Sequence, residues 1–155
     1  MNTRIAKNIL AHICYASLAT TSQSGLPWCS PVYVAFDRNH HFYWISARQA
    51  HHSQNIREHR QIAAVLYDST VSEGTGKGVY IQAIAQELSD PDEIASGLLA
   101  VFGRAGEQPP AIEIVRGNSP LRIYKAEMQA AWINVGGQVN GTPIEQRVEI
   151  NLNNL

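Results

Sequence analysis

Apolar residues recur along this chain at two spacings, one helical and one alternating. In residues 3–12, Ile5, Ile9 and Leu10 fall near one face while Arg4, Lys7 and Asn8 fall elsewhere, which predicts a short amphipathic helix. Strand patterns follow: "YASLATT" runs into the turn residues "SQSG", and "LPWCSPVYVAF" runs into "DRNH", so the two runs read as neighbouring antiparallel strands. "HFYWIS" is a third. "QIAAVLYD" is a continuous apolar run, the pattern of a strand buried on both faces. Beyond the loop "STVSEGTGKG", "VYIQAIAQEL" alternates, with Val79, Ile81, Ala83 and Ala85 on one side and Tyr80, Gln82 and Ile84 on the other.

A helix is predicted in "SDPDEIASGLLAVFG", with Asp90 as N-cap, Pro91 at the first helical position, acidic residues in the first turn and an end at Gly103. "PPAIEIVRG" adds a turn or two. "LRIYKAEMQAAWINV" holds one or two last strands, while "GGQVNG" and the tail "NLNNL" have little to bury. No repeat period is present. The expectation is therefore a mainly β protein with peripheral helices, a small barrel of six to seven antiparallel strands.

Composition narrows the function classes. The 155 residues with 45% hydrophobic content suit a single domain, residues 1–155. A net charge of -1 leaves no electrostatic footprint for nucleic acid or an anionic membrane. Cys14 and Cys29 lie in apolar, strand-like sequence without CxxC spacing, as expected of buried thiols in a reducing compartment, so a cytoplasmic location is expected. The N-terminal stretch is broken by Lys7, Asn8 and His12, unlike a signal peptide, and residue 1 is taken to belong to the mature protein.

The candidate chemistry sits in "WISARQAHHSQNIREH", residues 44–59, where a strand end meets a short helix whose one large aliphatic residue is Ile56. Burial of Ile56 contributes only about 1.5–3 kcal/mol, and a helix this short is marginal by itself. Its first turn offers free backbone N–H groups and the positive end of the helix dipole. Ser46, Arg48, His51, His52 and Ser53 surround it, a donor set that suits a phosphate. A plain solvated helix fits the composition equally well. Pro31 lies within an otherwise good strand, which places that strand at an edge or bulge. Unpaired backbone groups there could meet the polar rim of a planar heterocycle, with Trp28, Val32 and Tyr33 as apolar surface.

The order "LATTSQSGLPWCSPVYVAFD", "FYWIS", "HHSQNI", "IAAVLYD" and "GVYIQAIAQEL", completed by "LRIYKAEMQAAWI", resembles the pyridoxamine 5'-phosphate oxidase-like, FMN-binding split-barrel family. That resemblance implies a split β-barrel with Greek-key connections, and a homodimer with FMN at the subunit interface that performs flavin-mediated hydride or electron transfer on a small-molecule substrate. By position, Ser30, Pro31, Val32 and Tyr33 would run beside the ring, and Ile45 and Ser46 would touch the ribityl chain and phosphate. Arg48, His51, His52 and Ser53 fall at the phosphate, with imidazoles where the family usually has longer cations. Tyr80 or Gln82 would reach the cofactor, Trp132 resembles the aromatic given by the partner subunit, and Arg122 is a further candidate. The stretch "SPVYVA" lacks the basic residues of the enzymes that oxidise pyridoxamine phosphate. A deazaflavin-dependent reductase and a non-catalytic flavin- or haem-binding protein are the alternative implications.

Other constellations fall short. "EGTGKG" has Val71 where a phosphate-binding loop needs its first glycine and Gly78 where it needs Ser or Thr. His51, His52 and His59 lack an acidic or cysteine ligand at zinc-site spacing. Ser53 beside His52 is no hydrolase signal, since adjacent helical residues do not face each other. Glu87, Asp90, Asp92 and Glu93 read as a strand end and a helix start.

Overall fold

The computed structural model describes residues 1–155. Helix α1 (Asn2–His12) leads into β1 (Tyr15–Thr21), β2 (Pro27–Tyr33), β3 (Ala35–Phe36), β4 (His41–Ala47), α2 (His51–Glu58), β5 (Gln61–Tyr67), β6 (Gly78–Glu87) and α3 (Pro91–Arg104). A 3-10 turn at Ile112–Val115 precedes β7 (Leu121–Val139) and β8 (Thr142–Ile150), and a second at Leu152–Asn154 ends the chain. All strands join one antiparallel sheet, seven of them in the order β2-β1-β5-β6-β7-β4-β3 and β8 paired with β7 off this path. The stretch β4-β7-β6-β5 has Greek-key order. This is the expected mainly β split barrel. No helix is long and apolar enough to cross a membrane.

Two apolar clusters hold it. Inside the barrel, Leu18, Val32, Phe42, Trp44, Leu66, Ile81, Tyr124 and Ile133 pack with Ile56 of α2 and with Ala6, Ile9 and Leu10 of α1. On the outside of β3, β4 and β7, Tyr43 and Ile123 pack under Ile94, Leu98 and Val101 of α3 and under Val115. Strand alternation forces this division: Phe42 and Trp44 face in, so Tyr43 faces out and needs a helix to cover it. Asp90 caps α3 by accepting from the N–H groups of Asp92 and Glu93, both at 3.0 Å. Arg104 donates to the carbonyls of Leu10, Ala11 and Ile13, satisfying the free end of α1 and tying it to α3.

The edge position predicted from Pro31 is found. β2 pairs only with β1, where Pro31 stands opposite Ser17, so the proline interrupts no ladder on its other side.

Several expectations need correction. The strands number eight, because β7 is one strand of 19 residues and Asn140-Gly141 turns it into β8. Both turn residues have positive φ, 50° and 77°, as a two-residue hairpin turn requires. β8 survives with only Ile150 buried because its backbone pairs along the far half of β7, from Ala131 to Val139. The residues "GGQVNG" are therefore strand and turn, although none of them is buried. β5 is not buried on both faces: Ile62, Ala64 and Leu66 face the core, while Gln61, Ala63 and Tyr67 lie exposed. Its small apolar outer residues look the same in sequence as buried ones. Cys29 is exposed on the outer face of edge strand β2 and Cys14 is half-buried just before β1, so neither is a buried thiol. α3 runs one residue past Gly103.

Gly97 sets how closely α3 approaches the sheet. A Cβ there would lie 2.7 Å from Ile123 Cδ1 and 2.9 Å from Tyr43 Cδ1. The Tyr43 ring cannot swing freely, since its hydroxyl donates to Asp37 Oδ2 at 2.9 Å. Gly97→Val is expected to destabilise the fold by about 2 kcal/mol, because overpacking outweighs the small gain in helix propensity. An unchanged urea midpoint would contradict this reading of the contact.

Candidate functional site

β2 and β4 do not pair, and α2 crosses the opening between them, packed on β1, β2 and β6. Ile56 sits in the barrel core at 2% exposure, and the remaining hold comes from polar side chains. His52 is buried and reaches both sides of the opening: Nδ1 lies 3.2 Å from Ser30 Oγ on β2, and Nε2 lies 2.8 Å from Ser46 Oγ on β4. Asn55 donates to Thr20 Oγ1 on β1 at 2.9 Å, both groups buried. Trp28 donates its indole N–H to Ser30 Oγ at 2.8 Å, and the exposed His51 ring stacks on Trp28 with centroids 4.4 Å apart. Each net hydrogen bond contributes about 0.5–1.5 kcal/mol, so together they rival the burial of Ile56.

Burial holds the His52 imidazole below its ordinary pKa, so at neutral pH it is an uncharged ring. Of the two imidazoles expected to replace cations, only His51 offers itself to solvent. Arg48 is exposed. Its N–H donates to Pro120 O at 2.8 Å and its carbonyl accepts from Arg57 Nη1 at 3.0 Å, which fixes the backbone while the guanidinium has no partner within the chain. α2 has no side-chain cap at its start, where Ala50 is the N-cap residue. Ser53 Oγ is fully buried and lies beside the Tyr124 hydroxyl in the core, facing away from solvent.

The structure thus brings Ser30, Ser46, Arg48, His51, His52 and Ser53 around one junction. Other residues go elsewhere. Val32 faces the core at 5% exposure, so its side chain offers no face to a ring, whereas Pro31 and Tyr33 lie on the opposite face of β2. Ile45 and Ser46 also diverge: Ser46 meets His52, and Ile45 packs against the cluster under α3. Arg122 is consumed by the fold, donating to the carbonyls of Gly117, Ser119 and Leu121 and pairing with Glu87 at 3.1 Å. Tyr80 and Trp132 are cross-strand neighbours on the outer face of β6 and β7. With Gln82, Ala63, Ala19 and Cys29 they line an open groove of about 330 Å³.

Sequence reading missed two residues here. Asn55 looked like an ordinary polar helix position, and its partner Thr20 is 35 residues away. Glu87, read as a strand end, accepts from Tyr124 at 3.3 Å and pairs with Arg57 at 3.6 Å as well as with Arg122, so it joins α2 to β6 and β7. Neither has a local signal.

Comparison with known proteins completes the description. The family model described as "Pyridoxamine 5'-phosphate oxidase" matches residues 4–133. No curated protein matches the chain. Among solved structures, HutZ, the heme storage protein from Vibrio cholerae, is similar with a TM-score of 0.65 at 15% identity, covering 84% of this chain and 94% of that one. A heme binding protein from Mycobacterium smegmatis gives 0.69 at 18% identity over 94% of this chain, which spans 57% of that protein's length. An F420 reductase gives 0.59 at 17% identity, covering 81% of this chain and 94% of that one. Such identities establish a shared fold. The family match over most of the length, on a split barrel whose β2 and β4 are bridged by α2, shows that this chain belongs to the pyridoxamine 5'-phosphate oxidase family.

Proposed function

We propose that the chain is an FMN-binding oxidoreductase that works as a homodimer in the cytoplasm, with the flavin between subunits and a small molecule as its redox partner. The observation that carries this reading is the start of α2. An uncapped helix N-terminus, the Ser46 hydroxyl and the free Arg48 guanidinium form a donor set whose chemistry fits a phosphate dianion. Bound flavin would supply hydride or electron transfer. The chain's own part is to bind and orient: Arg48 supplies the charge, Ser46 a hydroxyl held in place by His52, and Pro31 and Tyr33 the flanking surface on the edge strand.

The outer face of β1, β2, β5, β6 and β7 supports the dimer. Ala19, Ala63, Val65 and Trp132 make it apolar, and Tyr15 and Tyr67 on the same strands are 61% and 51% exposed. A second copy of the chain is the occupant that would both cover this face and enclose a flavin.

One observation favours a second reading. His51 presents an exposed imidazole, and two of the similar structures are a heme storage and a heme binding protein. A haem absorption band in the purified protein, lost on His51→Ala, would replace the flavin assignment; a deazaflavin spectrum would replace it with the cofactor class of the F420 reductase.

Three outcomes are expected. Replacing Ser46 and Arg48 together by Ala weakens FMN about tenfold or more and riboflavin by less than about twofold, measured by flavin fluorescence titration; equal losses would remove the phosphate assignment. Ala63→Arg, placed on the open outer face, converts the dimer to monomer in sedimentation experiments, and a dimer that persists would move the interface elsewhere. The third concerns pH. His52 is neutral in the fold with a depressed pKa, so its contribution to stability is complete above the unfolded value of ~6.5 and is lost as pH falls toward the folded value. Wild type is expected to lose more stability than His52→Gln between about pH 7.5 and 5.5, and an NMR titration midpoint for His52 at or above ~6.5 would contradict the assignment.

A further inference from the structure

A cavity lies away from α2. It occupies about 640 Å³ between the loop before β6 and the β7–β8 hairpin, a volume ordinary for a small-molecule site. Its walls are of two kinds. Tyr67 and Tyr80 provide aromatic surface, and Gly76, Gly78, Gly136 and Gly137 provide bare backbone that a flat ring can approach closely. Asn134 holds two of these walls in place, accepting from Gly78 N at 2.6 Å and donating to Gly76 O at 3.0 Å.

The charges are uneven. Glu145 is paired with Arg147, whose guanidinium also lies 4.0 Å from the centre of the Tyr80 ring. Lys77, half-buried in the cavity wall, has no ion pair and no hydrogen bond to any other group. The lining therefore carries one uncompensated positive charge beside two aromatic rings. Tyr80 and Val65 line both this cavity and the outer-face groove that contains Trp132, so the two spaces share a wall.

We propose that this cavity binds a planar aromatic monocarboxylate, its ring against Tyr67 and Tyr80 and its carboxylate on Lys77, and that this is the class of substrate presented to a cofactor in the adjoining groove. The role as substrate rests on the flavin reading; the binding itself does not. Lys77 neutralises a monocarboxylate and would leave a phosphate dianion with an uncompensated charge, and the two rings with the flat glycine backbone suit a planar ligand.

The test uses naphthoate and its neutral amide as probes, titrated calorimetrically into the purified protein, with FMN uptake measured in parallel. Naphthoate is expected to bind saturably and the amide at least about tenfold more weakly. Lys77→Met should bring naphthoate down to the level of the amide, and Lys77→Arg should restore most of the difference. Gly136 has an ordinary φ and a Cβ there would meet nothing within 4 Å, so Gly136→Trp should fold normally, narrow the cavity and weaken both probes. No saturable naphthoate binding, equal binding of acid and amide, or Lys77→Met without effect overturns the proposal. FMN uptake without naphthoate binding sinks this site and leaves the flavin reading standing; naphthoate binding without FMN uptake does the reverse.

Discussion

The barrel wall does not close between β2 and β4, and a neutral histidine spans the opening. His52 contacts one hydroxyl on each side, Ser30 and Ser46, while Asn55 reaches the third strand through Thr20. Without these contacts α2 would keep one aliphatic anchor, too little for a helix of eight residues. With them, the helix start is fixed to the end of β4 on one side and to edge strand β2 on the other. Whatever binds at the junction thus meets preset geometry, because the groups that hold the helix are neighbours of the groups that would hold the ligand.

The two faces of the sheet are treated differently by the same alternation. On β4 and the first half of β7, Tyr43, Ile45 and Ile123 face outward and α3 covers them, at a distance limited by Gly97. On β1, β5 and β6, Tyr15, Ala19, Ala63, Tyr67 and Gln82 face outward and lie exposed, and Tyr80 lies under the Arg147 guanidinium. Glu87 ties these halves together, because its partners Arg57, Arg122 and Tyr124 belong to α2 and β7. Arg122 could have been read as a ligand for an anion. Its guanidinium is committed to three carbonyls and a carboxylate of its own chain.

What could be read in advance follows from how local each signal is. Pro31 marks an edge because the lost N–H is a property of one residue, and Asp90-Pro91 marks a helix start for the same reason. The Asn140-Gly141 turn was equally local, yet Gly136-Gly137 just before it lowers strand propensity and hid a hairpin that backbone pairing sustains. Outer and inner faces of β5 could not be separated, since Ala63 and Ala64 are the same residue type and only neighbouring strands decide which is buried. At the site, residue types were legible and their partners were not. The pairs His52–Ser30 and Asn55–Thr20 join residues 22 and 35 positions apart, a distance over which pattern carries no information.

The histidine pair shows how one dipeptide divides into two roles. On a helix, adjacent side chains diverge by about 100°, so His51 and His52 cannot both face the opening. His52 takes the buried direction, loses its charge to desolvation and becomes a strut. His51 takes the solvent direction and lies flat on Trp28. A dianion at this junction would then receive formal charge from Arg48 and partial charge from the helix start, with His52 giving only a hydrogen bond relayed through Ser46. Near a protein surface a full charge at 4 Å is worth about 4 kcal/mol before desolvation, several times the net value of a neutral hydrogen bond. On the proposed reading, anion affinity there would depend more on Arg48, the residue whose backbone is pinned from both sides, than on either member of the histidine pair.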